Sequence, residues 1–171
     1  MRKVDLPNCR NVSDISALST CINLHTIDVS RCRHVSDISA MGNCRQLHTL
    51  KLLNLDLLTD ISALASCRSL VHLDLAECSS LTDISALASC INLANVNLRH
   101  CPSLKDISAL ASCKSLVHLN LMYCSSLENI SALAGCSKLG HCHVNLRHCN
   151  SLKDISGLSD RSHILEPSWV P

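Results

Sequence analysis

The sequence predicts an α/β repeat: a solenoid with a parallel concave sheet and short helical turns on its convex side. Three observations carry this. Asp-Ile-Ser recurs at Asp14, Asp37, Asp60, Asp83 and Asp106, each step 23 residues long. Each unit pairs a short stretch of alternating apolar and polar residues with a short stretch of helical spacing. Apolar residues make up 47% of the chain, enough to fold, yet a single unit cannot bury its apolar side alone.

The repeat is read first. Asn129-Ile130-Ser131 keeps the phase, and Asp154 follows after 25 residues. Seven units result, at 1–23, 24–46, 47–69, 70–92, 93–115, 116–138 and 139–163, with a tail at 164–171. A fixed period of this size means stacked coils, and it decides the architecture before local propensity does. The fourth unit reads LVHLDLAECSSLTDISALASCIN. Its opening, Leu70 to Leu75, alternates like a strand, as do Thr26-Ile27-Asp28-Val29, Asn95-Val96-Asn97-Leu98 and His118-Leu119-Asn120-Leu121. Strands of successive units stack at ~4.8 Å per rung. Asp83 to Cys90 carries apolar residues at Ile84, Leu87 and Ala88, which suits a helical turn, with Asp83 as its N-cap.

The 13 cysteines form two ladders. Cys9, Cys32, Cys78, Cys101, Cys124 and Cys149 follow the strand; Cys21, Cys44, Cys67, Cys90, Cys113 and Cys136 close the turn; Cys142 is extra. Leu55 replaces Cys in the third unit, and a position that accepts Leu is a packing position. The expectation is buried, reduced thiols in a reducing, cytoplasmic setting. Without a C-x-x-C the spacing does not read as a zinc finger. The Asp ladder reads as local capping rather than a cation site, because Asn129 serves in one unit without a charge.

Composition excludes several function classes. With 15 Lys plus Arg against 14 Asp plus Glu, the net charge is +1, which argues against broad nucleic-acid or polybasic membrane binding. Aromatics are 1%, so base- or sugar-stacking platforms are nearly ruled out. No apolar run approaches the ~18 residues of a membrane span, and residues 1–20 lack a signal-peptide core. There is no G-x-S-x-G and no glycine-rich phosphate loop, so no catalytic residue, cofactor or metal is assigned. The densest reactive cluster, Gly140-His141-Cys142-His143, coincides with the two-residue insertion and reads better as an irregular final coil than as a metal site.

Partner-binding candidates lie on the strands. The residue between the two strand hydrophobics is Asp5, Asp28, Lys51, Asp74, Asn97, Asn120 and Asn145 in turn. The pair expected to be exposed next is Pro7-Asn8, Ser30-Arg31, Leu53-Asn54, Ala76-Glu77, Arg99-His100, Met122-Tyr123 and Arg147-His148. The face runs from acidic to cationic or neutral. The candidate patch is Asn97, Arg99, His100, Asn120, Tyr123, Arg147 and His148, since Tyr and Arg are favoured anchor types. Tyr123, between Arg99 and Arg147 on adjacent rungs, is the expected anchor: Tyr123→Ala together with Arg99→Ala should weaken capture while leaving the melting temperature nearly unchanged. Copying of repeat pairs competes with this reading, because NLRHC and SLKDIS occur in both the fifth and seventh units. Rival patches are Leu53 with Leu57, and the edge from Met1 to Cys9, where Met1 already occupies a core phase and no cap is visible. At the other end Pro167 stops the repeat after Ile164, and the tail with Trp169 is expected to fold over the open end.

Seven in-phase copies of L-x-x-L-x-L-x-x-C over 1–163 resemble the leucine-rich repeat superfamily. Cys78, Cys101 and Cys124 stand where that superfamily more often has Asn, which is similar to its cysteine-containing subtype, while TDISALA resembles the internalin style. CRNVSDISALSTC resembles the leucine-rich repeat proteins of kinetoplastids described as adenylate-cyclase regulators. The resemblance implies a non-enzymatic module that binds a protein on its concave sheet. A structural subunit of a large complex and a regulator of a nucleotide cyclase are the alternatives. A metal- or cysteine-dependent enzyme has the least support.

Overall fold

The computed structural model describes residues 1–138 and 143–158, with backbone only at His143 and Gly157. Seven strands run in chain order: β1 Lys3–Asp5, β2 Thr26–Asp28, β3 Thr49–Lys51, β4 His72–Asp74, β5 Asn95–Asn97, β6 His118–Asn120 and β7 His143–Asn145. They pair in parallel in that same order, as one sheet. The register is one period per rung: Ile27 faces Leu50, Leu50 faces Leu73, and Leu73 faces Val96. Between β6 and β7, Leu119 faces Val144, so the two extra residues are absorbed before β7. The strand hydrophobics therefore stack in one column, which is how a parallel ladder turns a sequence repeat into a continuous core.

In the fourth unit Leu70, Leu73, Leu75, Cys78, Leu81, Ile84, Leu87 and Cys90 are all buried. The turns on the other side of the coil in the first six units are five-residue 3-10 helices such as Ser85–Ser89 and Ser108–Ser112. Their bonds span three residues: Leu87 N–H to the Ile84 carbonyl and Cys90 N–H to the Leu87 carbonyl, each 2.9 Å. A segment this short cannot recover the nucleation cost of an α-helix, and it settles into the tighter turn. The three-residue period decides burial. Ile84, Leu87 and Cys90 point inward, while Ala88, expected inward from a helical spacing, is exposed.

The Asp ladder also differs in detail. Ile84, not Asp83, stands at the N-cap, and no side chain caps the turn there. Asp83 sits one residue earlier, where its Oδ1 accepts the Ser85 N–H at 2.7 Å. The bond recurs at 2.7 Å for Asp14, Asp37, Asp60 and Asp106, and Asn129 makes it equally well to Ser131. It is an Asx turn that closes the corner before the 3-10 helix. The Ser62 N–H, then its hydroxyl, hold the Asp60 carboxyl below its usual pKa. Asp106→Asn is thus expected to retain nearly all stability, whereas Asp106→Ala loses roughly 1 kcal/mol. Equal losses in urea melts would show that the charge, not the oxygen, matters.

The cysteine ladders do more than fill space. Cys78, Cys101 and Cys124 donate their thiols to the carbonyls of Leu52, Leu75 and Leu98 in the preceding coil, at 3.3, 3.2 and 3.1 Å. Cys67, Cys90 and Cys136 do the same to Met41, Leu64 and Leu110 at 3.3, 3.2 and 3.2 Å. The Met41 carbonyl already accepts the Cys44 N–H at 2.9 Å, so the thiol of the next coil takes its second lone pair. A thiol is small enough for a core phase yet carries the donor that ties one rung to the next. Of the described cysteines only Cys9 and Cys21, in the first coil, are half-buried; the other ten are buried. Met1 and Leu6 of that coil are exposed as well.

Candidate functional site

The concave face of the sheet forms an open groove of about 420 Å³ across β3 to β7. Two polar columns line it, one on each side of the buried strand hydrophobic. The first is Thr49, His72, Asn95 and His118; the second is Lys51, Asp74, Asn97, Asn120 and Asn145. Sequence reasoning found the second column and missed the first. The signal was present: strand alternation exposes both neighbours of the apolar residue, not only the one that follows it. Asn95 and His72 are linked across rungs at 3.0 Å. His48 meets His72 edge to face, with ring centroids 6.3 Å apart.

The second column has a fixed inner end. Oδ1 of Asn97, Asn120 and Asn145 accepts the N–H of Arg99, Met122 and Arg147 at 3.2, 3.1 and 3.1 Å. Asp28 and Asp74 make the same bond to Ser30 and Ala76, both 3.0 Å. Each side chain is held in one orientation, and Asp74, Asn97, Asn120 and Asn145 keep their second terminal atom for the groove. Lys51 reaches Asp28 at 3.6 Å.

Of the seven residues expected to bind a partner, the groove lining includes Asn97 and Asn120 only. Arg99, His100, Tyr123, Arg147 and His148 lie past the strand ends. Arg99 forms an ion pair with Glu77 at 2.6 Å. His100, Tyr123 and His148 belong to a column of left-handed residues, with φ of 56°, 64° and 62°. Asn8, Arg31, Asn54 and Glu77 continue it through the earlier units. The residue before each is not uniformly exposed: Ser30 and Ala76 are buried, because the turn folds them under the sheet edge.

Tyr123 is flanked by rings. His100 stacks on one face at 4.2 Å and His148 on the other at 4.3 Å. Its flat body is occupied, and it offers only an edge and a hydroxyl. The stack changes the expectation for Tyr123→Ala, which now predicts a loss of about 1–2 kcal/mol in stability, two ring contacts being worth that much. Tyr123→Phe should keep it. A thermal melt of both variants checks this, and an unchanged midpoint for Tyr123→Ala would mean the stack contributes nothing. Of the rival patch, Leu53 is half-buried and Leu57 is exposed. The His141–Cys142 cluster, the His143 side chain and the tail with Trp169 lie outside the described residues.

The buried thiols are poor nucleophiles. Burial pushes Cys67, Cys78, Cys113 and Cys124 up to about 12 and Cys90 and Cys149 up to about 11. Cys101 is raised for the same reason. A thiol held neutral at physiological pH does not serve as an attacking group. Among the described residues, no group of three or more His, Cys, Asp or Glu side chains is placed to hold a metal ion. No helix among them is long and apolar enough to cross a membrane.

No protein-family profile matches the chain, and no curated protein matches it. Solved structures do. An internalin C2 from Listeria monocytogenes superposes with a TM-score of 0.73 at 23% identity, over 96% of this chain and 69% of its own. A second internalin from the same organism gives 0.62 at 23% identity, over 97% of this chain and 60% of its own. With the one-period register and the 3-10 convex side, this likeness makes the chain a solenoid of the leucine-rich repeat fold.

Proposed function

We propose that the chain is a protein-binding module that receives its partner in the concave groove. The observation that carries this is the second polar column. Four of its side chains, Asp74, Asn97, Asn120 and Asn145, are each locked by a backbone N–H bond while a second polar atom stays available. Such a surface is ordered before the partner arrives, so little side-chain entropy is lost on binding. The rungs that carry it are rigid because each is pinned by its neighbours. Arg99, His100, Tyr123, Arg147 and His148 form the rim of the same interface in this reading, with Asn97 and Asn120 inside it. No reaction and no cofactor are assigned. Free thiols at all twelve described cysteines suit a reducing compartment such as the cytoplasm. A role as a subunit of a larger complex, or as a regulator of a nucleotide cyclase, would use the same groove with a different partner.

A photo-crosslinking residue at position 118, exposed in the groove lining, is expected to capture one protein from native extract. The same residue at position 85, exposed on the 3-10 side, should not. Equal capture at both positions, or capture only from positions 1–9, would move the interface off the concave face.

A further inference from the structure

We propose that the strand ends at Asn97, Asn120 and Asn145 hold a carboxylate-rich segment of the protein partner. Its Asp and Glu side chains accept hydrogen bonds from the Nδ2 groups of Asn97, Asn120 and Asn145. The inference rests on the groove being the partner site and adds the chemistry of what it binds.

Along the column the chemistry inverts at constant geometry. In the second and fourth units the column residue is Asp28 or Asp74, and its Oδ1 accepts the N–H two residues on, at 3.0 Å. In the fifth, sixth and seventh units Asn replaces Asp and makes that same bond, at 3.1–3.2 Å. The turn is unchanged. Only the second terminal atom differs: an anionic oxygen that accepts becomes an amide nitrogen that donates two hydrogens. With Oδ1 engaged, the amide cannot flip to present its oxygen without losing the turn bond. Three donors thus stand one rung apart, at about 4.8 Å spacing.

Charge around them agrees. Between positions 95 and 100, 118 and 123, and 145 and 148, the strand and rim residues include no Asp or Glu and do include Arg147. The nearest carboxylate along the column is Asp74, and beyond the strands Glu77 is held by Arg99 at 2.6 Å. Toward the other end Lys3 pairs with Asp5 and Lys51 with Asp28. The second column is therefore polarised: its available atoms are amide donors at Asn97, Asn120 and Asn145, and it is mixed in charge toward the other end. An acceptor-rich anionic segment fits the first end, and a basic one does not.

The test uses the full chain and two fluorescein-labelled peptides, oligo-glutamate and oligo-lysine, in anisotropy titrations at low salt. Oligo-glutamate should bind, more weakly as salt rises, and oligo-lysine should not. N97D/N120D/N145D keeps the turn oxygens, so it should still fold, with a lower melt from like charges one rung apart, and its binding of oligo-glutamate should weaken at least about tenfold. Asp74→Asn, which extends the donor column by one rung, should tighten it about twofold or more. Placing the same charges outside the groove, as Asn11→Asp, Asn23→Asp and Thr82→Asp, should change little. If the triple variant is unstable, Asn120→Asp alone should still weaken binding. Oligo-lysine binding as tightly, or a triple variant that binds oligo-glutamate unchanged, would overturn the inference. A triple variant that loses nothing in crosslinking to the native partner would leave the groove as the partner site and remove the acidic ligand. Capture that never depends on the groove removes both.

Discussion

Ile107→Ala is expected to lower unfolding stability by about 2–5 kcal/mol. Ile107 is 1% exposed and sits in the column that continues with Ile84 and Ile130, both buried. In a solenoid each coil is supported mainly by the two beside it, so a cavity at this level loosens two rung-to-rung contacts at once. The rest of the coil cannot collapse into the gap, because its strand is held by the parallel ladder and its 3-10 turn by the thiol bonds of Cys113 to Leu87 and of Cys136 to Leu110. Ile107→Val, which removes one methylene, should cost about 0.5–1.5 kcal/mol. Ile15→Ala should cost less than Ile107→Ala, since the first coil packs on one described neighbour only. Urea melts of the three variants provide the check. A loss below about 1 kcal/mol for Ile107→Ala would mean that the column is not tightly packed.

Alkali should unfold the protein sharply. Burial raises the thiols of Cys78 and Cys124 to about 12 and raises Cys101 as well. An unfolded Cys ionises near 8.5. Below that pH both states hold the proton and folding is unaffected. Above it the unfolded chain loses protons that the folded chain keeps, so the unfolded state binds fewer protons and stability falls as pH rises. Each such thiol contributes a slope of about 1.4 kcal/mol per pH unit until its folded pKa is reached, so three together give about 4 kcal/mol per unit. Cys67, Cys90, Cys113 and Cys149 act in the same direction. The midpoint in urea should therefore drop steeply between about pH 9 and 11. Thiol labelling checks the same property: at pH 8 the buried set should react about a thousandfold more slowly than in denaturant. Cys9 and Cys21, half-buried in the first coil, should lead the described cysteines. A stability that stays flat to pH 11, or rapid labelling of Cys101 in the folded protein, would show that the ladders are open to water.

The phase of the repeat was legible because it is a one-dimensional property. Every 23 residues the same apolar set returns, and only a parallel in-register stack can bury it. Leu55 standing in for a cysteine was enough to identify that ladder as core, and Leu55 is fully buried. The aspartate ladder was legible as a local cap of some kind, since Asn129 could replace the charge. Its geometry was not. Whether Asp83 caps a helix or closes an Asx turn one residue earlier depends on the backbone path of a corner, which the residue types leave open. Ala88 shows the same limit: a spacing of four suits an α-helix and points outward on a 3-10 turn, and the short coil selects the latter.

The functional face divides along the same line. Sequence alone determined which residues alternate outward along each strand, because a period of two is imposed by the pleat itself. It also determined that Asp gives way to Asn from the fifth unit onward. Tertiary structure decided what those residues are free to do. The Asn97 and Asp74 side chains spend one atom on the turn and keep one for the groove, a division set by hydrogen-bond geometry. Tyr123, conspicuous in the sequence as the single tyrosine, has both faces covered by His100 and His148, which the 23- and 25-residue steps bring onto it only when the rungs stack. Residues one period apart are distant along the chain and adjacent across the sheet, so contacts between rungs, unlike the alternation within one, exist only once the coils are closed.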